Sequence, residues 1–388
     1  MRKLITFLGL TEYQETTYRW GQQEYRTRFF AEAVAAWLKP ARAYVLLTPK
    51  VKESENWTVL REKLSNHAEV EPVDIPNGQS QDELWQTFRA IDEQVVSSND
   101  ELVFDITHSF RLLPLLTLLS IAYLRQVKRI QLLHILYGAY EAREKENDRE
   151  ISPVYEITPL VSLLDWLTAA KIFTQTGDGR DLAELMEHAS LQQSGEPNAP
   201  QVYNPLKEVA HCVRNVTDNL MLSRIPDLAR SVQEMHRELN KGQTRDAIRQ
   251  WLSPLVPLLD EVRTKYKPFS QRTLEAQVDL IEWYIQHGHL IQALTLAREW
   301  IINYHLQQQG RKGYWQNKQA RDEAENELNN GSGIDPKVIS LWTRVKRYRN
   351  DAAHCGFRPN PEPPSKLKIS AEQTLKEIRA LLGAGGKA

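Results

Sequence analysis

"ELVFDITHSFRLLPLLTLLSIAYLRQ", residues 101–126, is the stretch whose reading decides the fold. It opens on an apolar run, Glu101 to Thr107, of the kind found in strands buried on both faces. From Phe110 the spacing becomes that of a long apolar helix, with Pro114 in its first turns, where a missing N–H costs little. Between the two lie Asp105, Thr107, Ser109 and Arg111, polar groups where a strand gives way to a helix N-terminus. Ligands of open α/β sheets bind outside such strand ends, and helix amides there favour an anion. Asp105 serves equally well as a structural cap or turn residue. A hydrolase triad of Asp105, His108 and Ser109 is disfavoured, because adjacent residues rarely converge and no Gly-x-Ser-x-Gly elbow is present.

Outward from this stretch, strand-like runs alternate with helical ones. "KLITFLG" (3–9), "AYVLLT" (43–48), "VEPVDIP" (70–76), "IQLLHILYGAY" (130–140) and "PVYEIT" (153–158) read as strands, the third an edge strand on account of its prolines. "RFFAEAVAAWL" (28–38), "ENWTVLREKLSNH" (55–67) and "QDELWQTFRAIDEQVV" (81–96) read as helices. The alternation predicts a parallel, doubly wound sheet over residues 1–158. Its first loop, "FLGLTEYQETTY" (7–18), has one glycine where a dinucleotide fingerprint needs three, so nicotinamide or flavin binding is not expected. Polar groups near strand ends include Gly9, Leu10, Thr11, Tyr13 and Tyr18, and then Thr48 and Pro49.

From Pro159 the period is helical throughout, which predicts an all-α region over 159–388 and an α/β plus all-α chain. Residues 192–205 and 307–333 carry little apolar content and read as mobile connections, and the tail "GAGGKA" as disordered. Trp315, with Tyr314, Arg311 and Lys312, is an aromatic outside the core stripes and a candidate RNA contact. His287 and His289 lack carboxylates at ligand spacing, so no metal site is expected.

Near the C-terminus, Asp335-Pro336 starts a helix whose stripe is Val338, Leu341, Trp342, Val345 and Tyr348. Asn350 and His354 are four apart and share its far end, with Arg349 beside them and Arg344, Lys346 and Arg347 one turn earlier. A solvated helix end accounts for this set. RNA cleavage without a metal accounts for it too: the 2′-hydroxyl is the nucleophile, a guanidinium steadies the charge on phosphorus, and an imidazole moves the proton.

Composition sets the outer limits. The formal net charge is −1, so nucleic acid must be met by a local patch. Two cysteines, Cys212 and Cys355, argue against a disulfide framework. No apolar run approaches the roughly 18 residues of a membrane span, and the N-terminus lacks a signal-peptide pattern, so a cytoplasmic protein is expected.

"DITHSFRLLPLL" resembles the Asp-x-Thr/Ser-x-x-x-Arg strand-to-helix motif of CARF domains, the Rossmann-like sensors of CRISPR systems, and "FLGLTEYQETTY" their first-strand loop. "RNDAAH" (349–354) resembles the Arg-x4-His motif of HEPN ribonucleases. The order of the two is similar to that of the CARF–HEPN ribonucleases of type III CRISPR systems, the Csx family. The resemblance implies a homodimer whose CARF pair binds a cyclic oligoadenylate, most commonly cyclic tetra-adenylate. Binding would activate a metal-independent cut of single-stranded RNA that leaves 2′,3′-cyclic phosphates. It assigns Arg349, Asn350 and His354 to catalysis. It assigns Gly9, Leu10, Thr11, Thr48, Pro49, Asp105, Thr107, Ser109, Arg111, Tyr137, Gly138 and Tyr140 to the activator, with no cofactor beyond it. Some relatives also cleave their own activator, a role open to Thr107 or Ser109. The alternative is a CARF regulator that binds its ligand and has no nuclease activity.

Overall fold

The computed structural model describes residues 1–108, 113–147, 149–194, 204–251, 255–311, 313, 315–357 and 359–385. The chain divides into two compact units, Met1–Leu164 and Asp165–Ala388.

The first unit is built on a nine-stranded mixed sheet: β1 (Arg2–Phe7), β2 (Thr16–Trp20), β3 (Gln23–Thr27), β4 (Arg42–Leu47), β5 (Glu69–Asp74), β6 (Glu101–Asp105), β7 (Gln131–Gly138), β8 (Glu144–Glu146) and β9 (Arg149–Glu156). The order is β3-β2-β9-β7-β6-β1-β4-β5, with β8 paired to β9. Five strands, β7-β6-β1-β4-β5, run parallel. The chain leaves β1 for β4 on one side and later returns to β6 on the other, so the switch point lies between β1 and β6. Helices α1 (Phe30–Leu38), α2 (Pro49–Lys52), α3 (Glu55–Ser65), α4 (Gln81–Arg89) and α5 (Leu113–Lys128) fall in the connections.

Successive side chains of a strand face opposite ways, and β1 shows both faces buried. Ile5 and Phe7 join Tyr44, Leu46, Phe104, Ile121 and Leu124 in one core, while Leu4 joins Phe29, Phe30, Val34, Val45 and Leu60 in the other. This is why β1, β4 and β6 read as continuous apolar runs. β5 is the sheet's edge, as its Pro72 requires.

The sheet is not purely parallel. β2 and β3 form an antiparallel hairpin whose turn holds Gly21 at φ 59°, and β9 runs antiparallel to β7. The hairpin lies partly inside what the sequence suggests is one long loop, because Thr16–Thr27 is too polar to read as a strand pair.

The second unit is helical. The chain enters it along α6 (Thr158–Thr176), which crosses the division between units. Then come α7 (Arg180–Ser194), α8 (Pro205–Met221), α9 (Ile225–Asn240), α10 (Gly242–Trp251), α11 (Val256–Tyr266), α12 (Leu274–Gln286), α13 (Leu290–Gln308), α14 (Lys318–Asn330), α15 (Pro336–Ala353) and α16 (Pro364–Gly385). The loop expected over 307–333 contains α14, capped by the Asn317 side chain accepting from the Ala320 amide and ended at Gly331 with φ 71°. Its buried stripe is Ala320, Ala324 and Leu328, too weak to register as amphipathic by composition. Of the stretch 192–205, residues 195–203 lie outside the described residues. So do the last three residues of the tail, 386–388, while α16 runs to Gly385. Among the described residues no helix is long and apolar enough to cross a membrane.

Candidate functional site

At the switch point, polar groups lock three strand ends together. Asp105 is fully buried; its Oδ2 accepts from Thr6 Oγ1 at 2.8 Å and its Oδ1 from the Thr107 amide at 2.9 Å. Thr107 Oγ1 in turn accepts from the Gly138 amide at 2.8 Å. One carboxylate therefore ties β1, β6 and, through Thr107, β7. Burial pushes the Asp105 carboxyl up to about 6, against hydrogen bonds from Thr107 and Thr6 that favour its charged form. Asp105 is a brace under the crevice, the structural alternative left open by its position.

The first loop is pinned from both sides. The Gly9 amide donates to Tyr13 Oη at 2.8 Å, and Asn56 Nδ2 donates to the carbonyls of Gly9 and Thr11 at 3.2 and 3.0 Å. Leu10 and Thr11 are exposed on this loop. The Tyr13 ring lies 4.2 Å from that of His108, whose Nε2 accepts from the Phe30 amide at 3.4 Å. Burial holds His108 down to about 4, so the ring is neutral near pH 7 and packs the loop against α1.

The remaining first-unit positions divide. Thr48 precedes the short α2 without capping it through its side chain, and Pro49 is that helix's exposed first residue. Tyr137 Oη donates to Glu141, and the Arg143 guanidinium covers the Tyr140 ring at 4.2 Å. Gly138 faces the core instead: a Cβ there would sit 2.7 Å from Phe30 and 2.8 Å from Tyr18. Ser109 and Arg111 lie outside the described residues. Sequence reasoning missed Asn56 and Arg28. Arg28 stacks on Phe29 at 4.8 Å, next to the residue whose amide meets His108, and no carboxylate pairs with it among the described residues. An arginine directly before an apolar helix run was the available signal.

In the second unit, Asp335 Oδ1 accepts from the Lys337 amide at 2.8 Å and starts α15, whose stripe Val338, Leu341, Trp342, Val345 and Tyr348 is buried. The helix ends at His354, and Cys355 and Gly356 follow in the left-handed region at φ 53° and 76°. The basic cluster resolves into two kinds. Arg344 pairs with Glu377 at 2.6 Å, Arg347 pairs with Glu362, and Lys346 donates to Asn329 Oδ1 at 2.9 Å. Arg349 has no carboxylate among the described residues. Its Nη1 donates to Asn350 Oδ1 at 3.1 Å, and its Nε is buried with no partner among the described residues. The His354 ring is exposed, and Phe357 beyond it is 92% exposed.

A doubly wound sheet with a pinned, polar crevice at its switch point, followed by a helical unit, defines an α/β plus all-α chain with a Rossmann-like first unit. Residues 3–145 match the family described as the CARF domain of the CRISPR system endoribonuclease Csx1. Residues 162–271 match the family of the second domain of CRISPR-associated protein MJ1674. The first unit thus carries a CARF domain like that of Csx1, and the helical unit begins with a segment like the second domain of MJ1674. The chain is 23% identical over 212 residues to CRISPR-associated protein MJ1674 of Methanocaldococcus jannaschii, over 54% of this chain and 30% of that protein's length.

Proposed function

We propose that this protein is a cyclic-oligoadenylate-activated endoribonuclease that cuts single-stranded RNA in type III CRISPR defence, acting in the cytoplasm as a homodimer. The observation that carries this reading is the state of Arg349. Arg344 and Arg347 are each neutralised by a carboxylate, while Arg349 holds its Nε in a dry position and, among the described residues, is hydrogen-bonded only to Asn350. A half-buried guanidinium left unpaired costs free energy that a phosphate would recover.

The chemistry follows from what the substrate brings. The 2′-hydroxyl loses its proton as its oxygen attacks the adjacent phosphorus. The P–O5′ bond breaks, and the 5′-oxygen takes a proton, leaving a 2′,3′-cyclic phosphate and a 5′-hydroxyl. Arg349 bears the charge on the phosphoryl oxygens, Asn350 orients Arg349, and His354 shuttles the proton. No metal is required for any step.

A second protomer supplies the opposing motif. Two features support this. Phe357 stands almost wholly exposed beside the motif. On α5, Leu115, Leu119, Tyr123 and Val127 recur every four residues and are all exposed, a stripe that a two-fold contact would bury against itself. The activator, cyclic tetra-adenylate in this reading, sits over the β1, β4, β6 and β7 ends, with the first loop and Arg28 against its phosphates.

The test is cleavage of labelled RNA in EDTA, alone and with cyclic tri-, tetra- or hexa-adenylate. The expected result is cutting with one ring, lost in His354→Ala. Tight ring binding with no cutting would favour a regulator without nuclease activity.

A further inference from the structure

The helical unit contains a cavity of about 370 Å³, apart from the Arg349 motif, between the N-terminal turn of α9 and helices α12, α13 and α14. Its polar lining forms a chain whose directions are fixed by elementary hydrogen-bond chemistry. Arg321 can only donate. Its Nη1 meets Asn303 Oδ1 at 2.7 Å, so that atom is the amide oxygen. Asn303 Nδ2 must then donate, and it meets Gln277 Oε1 at 3.0 Å. The Gln277 amide nitrogen is left over: this side chain is 5% exposed, lines the cavity, and its Nε2 has no partner among the described residues. Glu299, also on the lining, is paired with Arg298 and Arg321. The cavity therefore presents the Gln277 Nε2 donor, which no described residue uses.

Two further groups define what would use it. Trp315 lines the cavity as an aromatic surface. Arg272, at the exposed rim, donates to the Pro226 carbonyl at 2.7 Å and pairs with no carboxylate among the described residues. An aromatic wall, an inward amide donor and an outer cation suit a flat heterocycle carrying a carbonyl and linked to a phosphate. We propose that this cavity binds a nucleotide whose base gives a carbonyl oxygen to Gln277 Nε2, stacks against Trp315 and directs its phosphate to Arg272. A pyrimidine is the smallest base that fits the description, and uracil offers two carbonyls where cytosine offers one. The nucleotide is either free or one residue of an RNA strand, and the chemistry is the same for both.

The test is equilibrium binding, separate from cleavage. Full-length His354→Ala protein without activator is titrated with uridine 5′-monophosphate, adenosine 5′-monophosphate and a uridine decamer. Uridine monophosphate saturating well below the concentration needed for adenosine monophosphate points to a free nucleotide. Binding confined to the decamer points to a strand. In either case Arg272→Ala, at an exposed position that leaves the core intact, and Gln277→Leu should each weaken binding at least tenfold. Binding that both variants retain, equal binding of the two monophosphates, or no binding of any probe overturns the proposal. None of these outcomes bears on whether RNA is cut at His354.

Discussion

Replacing Asp105 by asparagine should change the pH dependence of stability more than the stability itself. The carboxyl is fully buried, with no cation among its hydrogen-bond partners, and burial raises it from 3.8 to about 6. A rise of roughly two pH units corresponds to about 3 kcal/mol favouring the protonated form in the folded protein. The sign follows from linkage. A carboxyl whose folded pKa lies above its unfolded value binds its proton more readily when folded. Its contribution is fully present below the unfolded value near 4 and is lost as pH rises through about 6. At pH 7 the wild type therefore carries the cost of a buried charge. Asparagine removes that charge, keeps an oxygen for the Thr107 amide, and turns its Nδ2 toward the Thr6 hydroxyl, which can accept. It also gives up the strength of charge-assisted bonds, worth about 1.5–3 kcal/mol each. The two effects nearly cancel at pH 7. The difference in unfolding free energy between variant and wild type should then shift by about 3 kcal/mol toward the wild type between pH 8 and pH 4. Urea titrations of the full chain at half-unit pH intervals measure it. Parallel stability curves for the two proteins would refute the assignment of Asp105 as a buried, uncompensated brace.

The other expectations are simpler. Arg349→Ala and His354→Ala should each lower RNA cleavage by at least a thousandfold while leaving cyclic-oligoadenylate binding within twofold, read by gel cleavage and by calorimetry; Arg349→Lys should not rescue, since an ammonium lacks the planar fork. Gly138→Ala should destabilise the first unit by several kcal/mol, about 2–4, because its Cβ would overlap two packed rings at 2.7–2.8 Å; a thermal melt checks it. Leu119→Glu, at a position 68% exposed on α5, should leave monomer stability unchanged but convert a dimer to a monomer in light scattering and remove activity with it.

What the sequence revealed, and what it hid, follows from how each feature is encoded. The central strands were legible because both of their faces are buried, which forces continuous apolar runs such as Leu102–Phe104. The β2–β3 hairpin was hidden because Gln23–Arg26 is largely exposed and carries charge where a buried strand carries valine. Helix α14 was hidden because two of its three buried contacts are alanines. The candidate sites divide in the same way. Arg349 and His354 stand six residues apart counted inclusively, so local spacing displays them. The crevice depends on pairings across the sheet, Thr6 to Asp105 and Thr107 to Gly138, which no linear spacing records. Sequence could therefore mark Asp105 and Gly138 as candidates but could not say which way either faced. Register settles it for both. Asp105 lies opposite Thr6 in the parallel ladder, so its carboxylate is spent inside the sheet, and Gly138 pairs with Val154 while its Cα packs on Phe30.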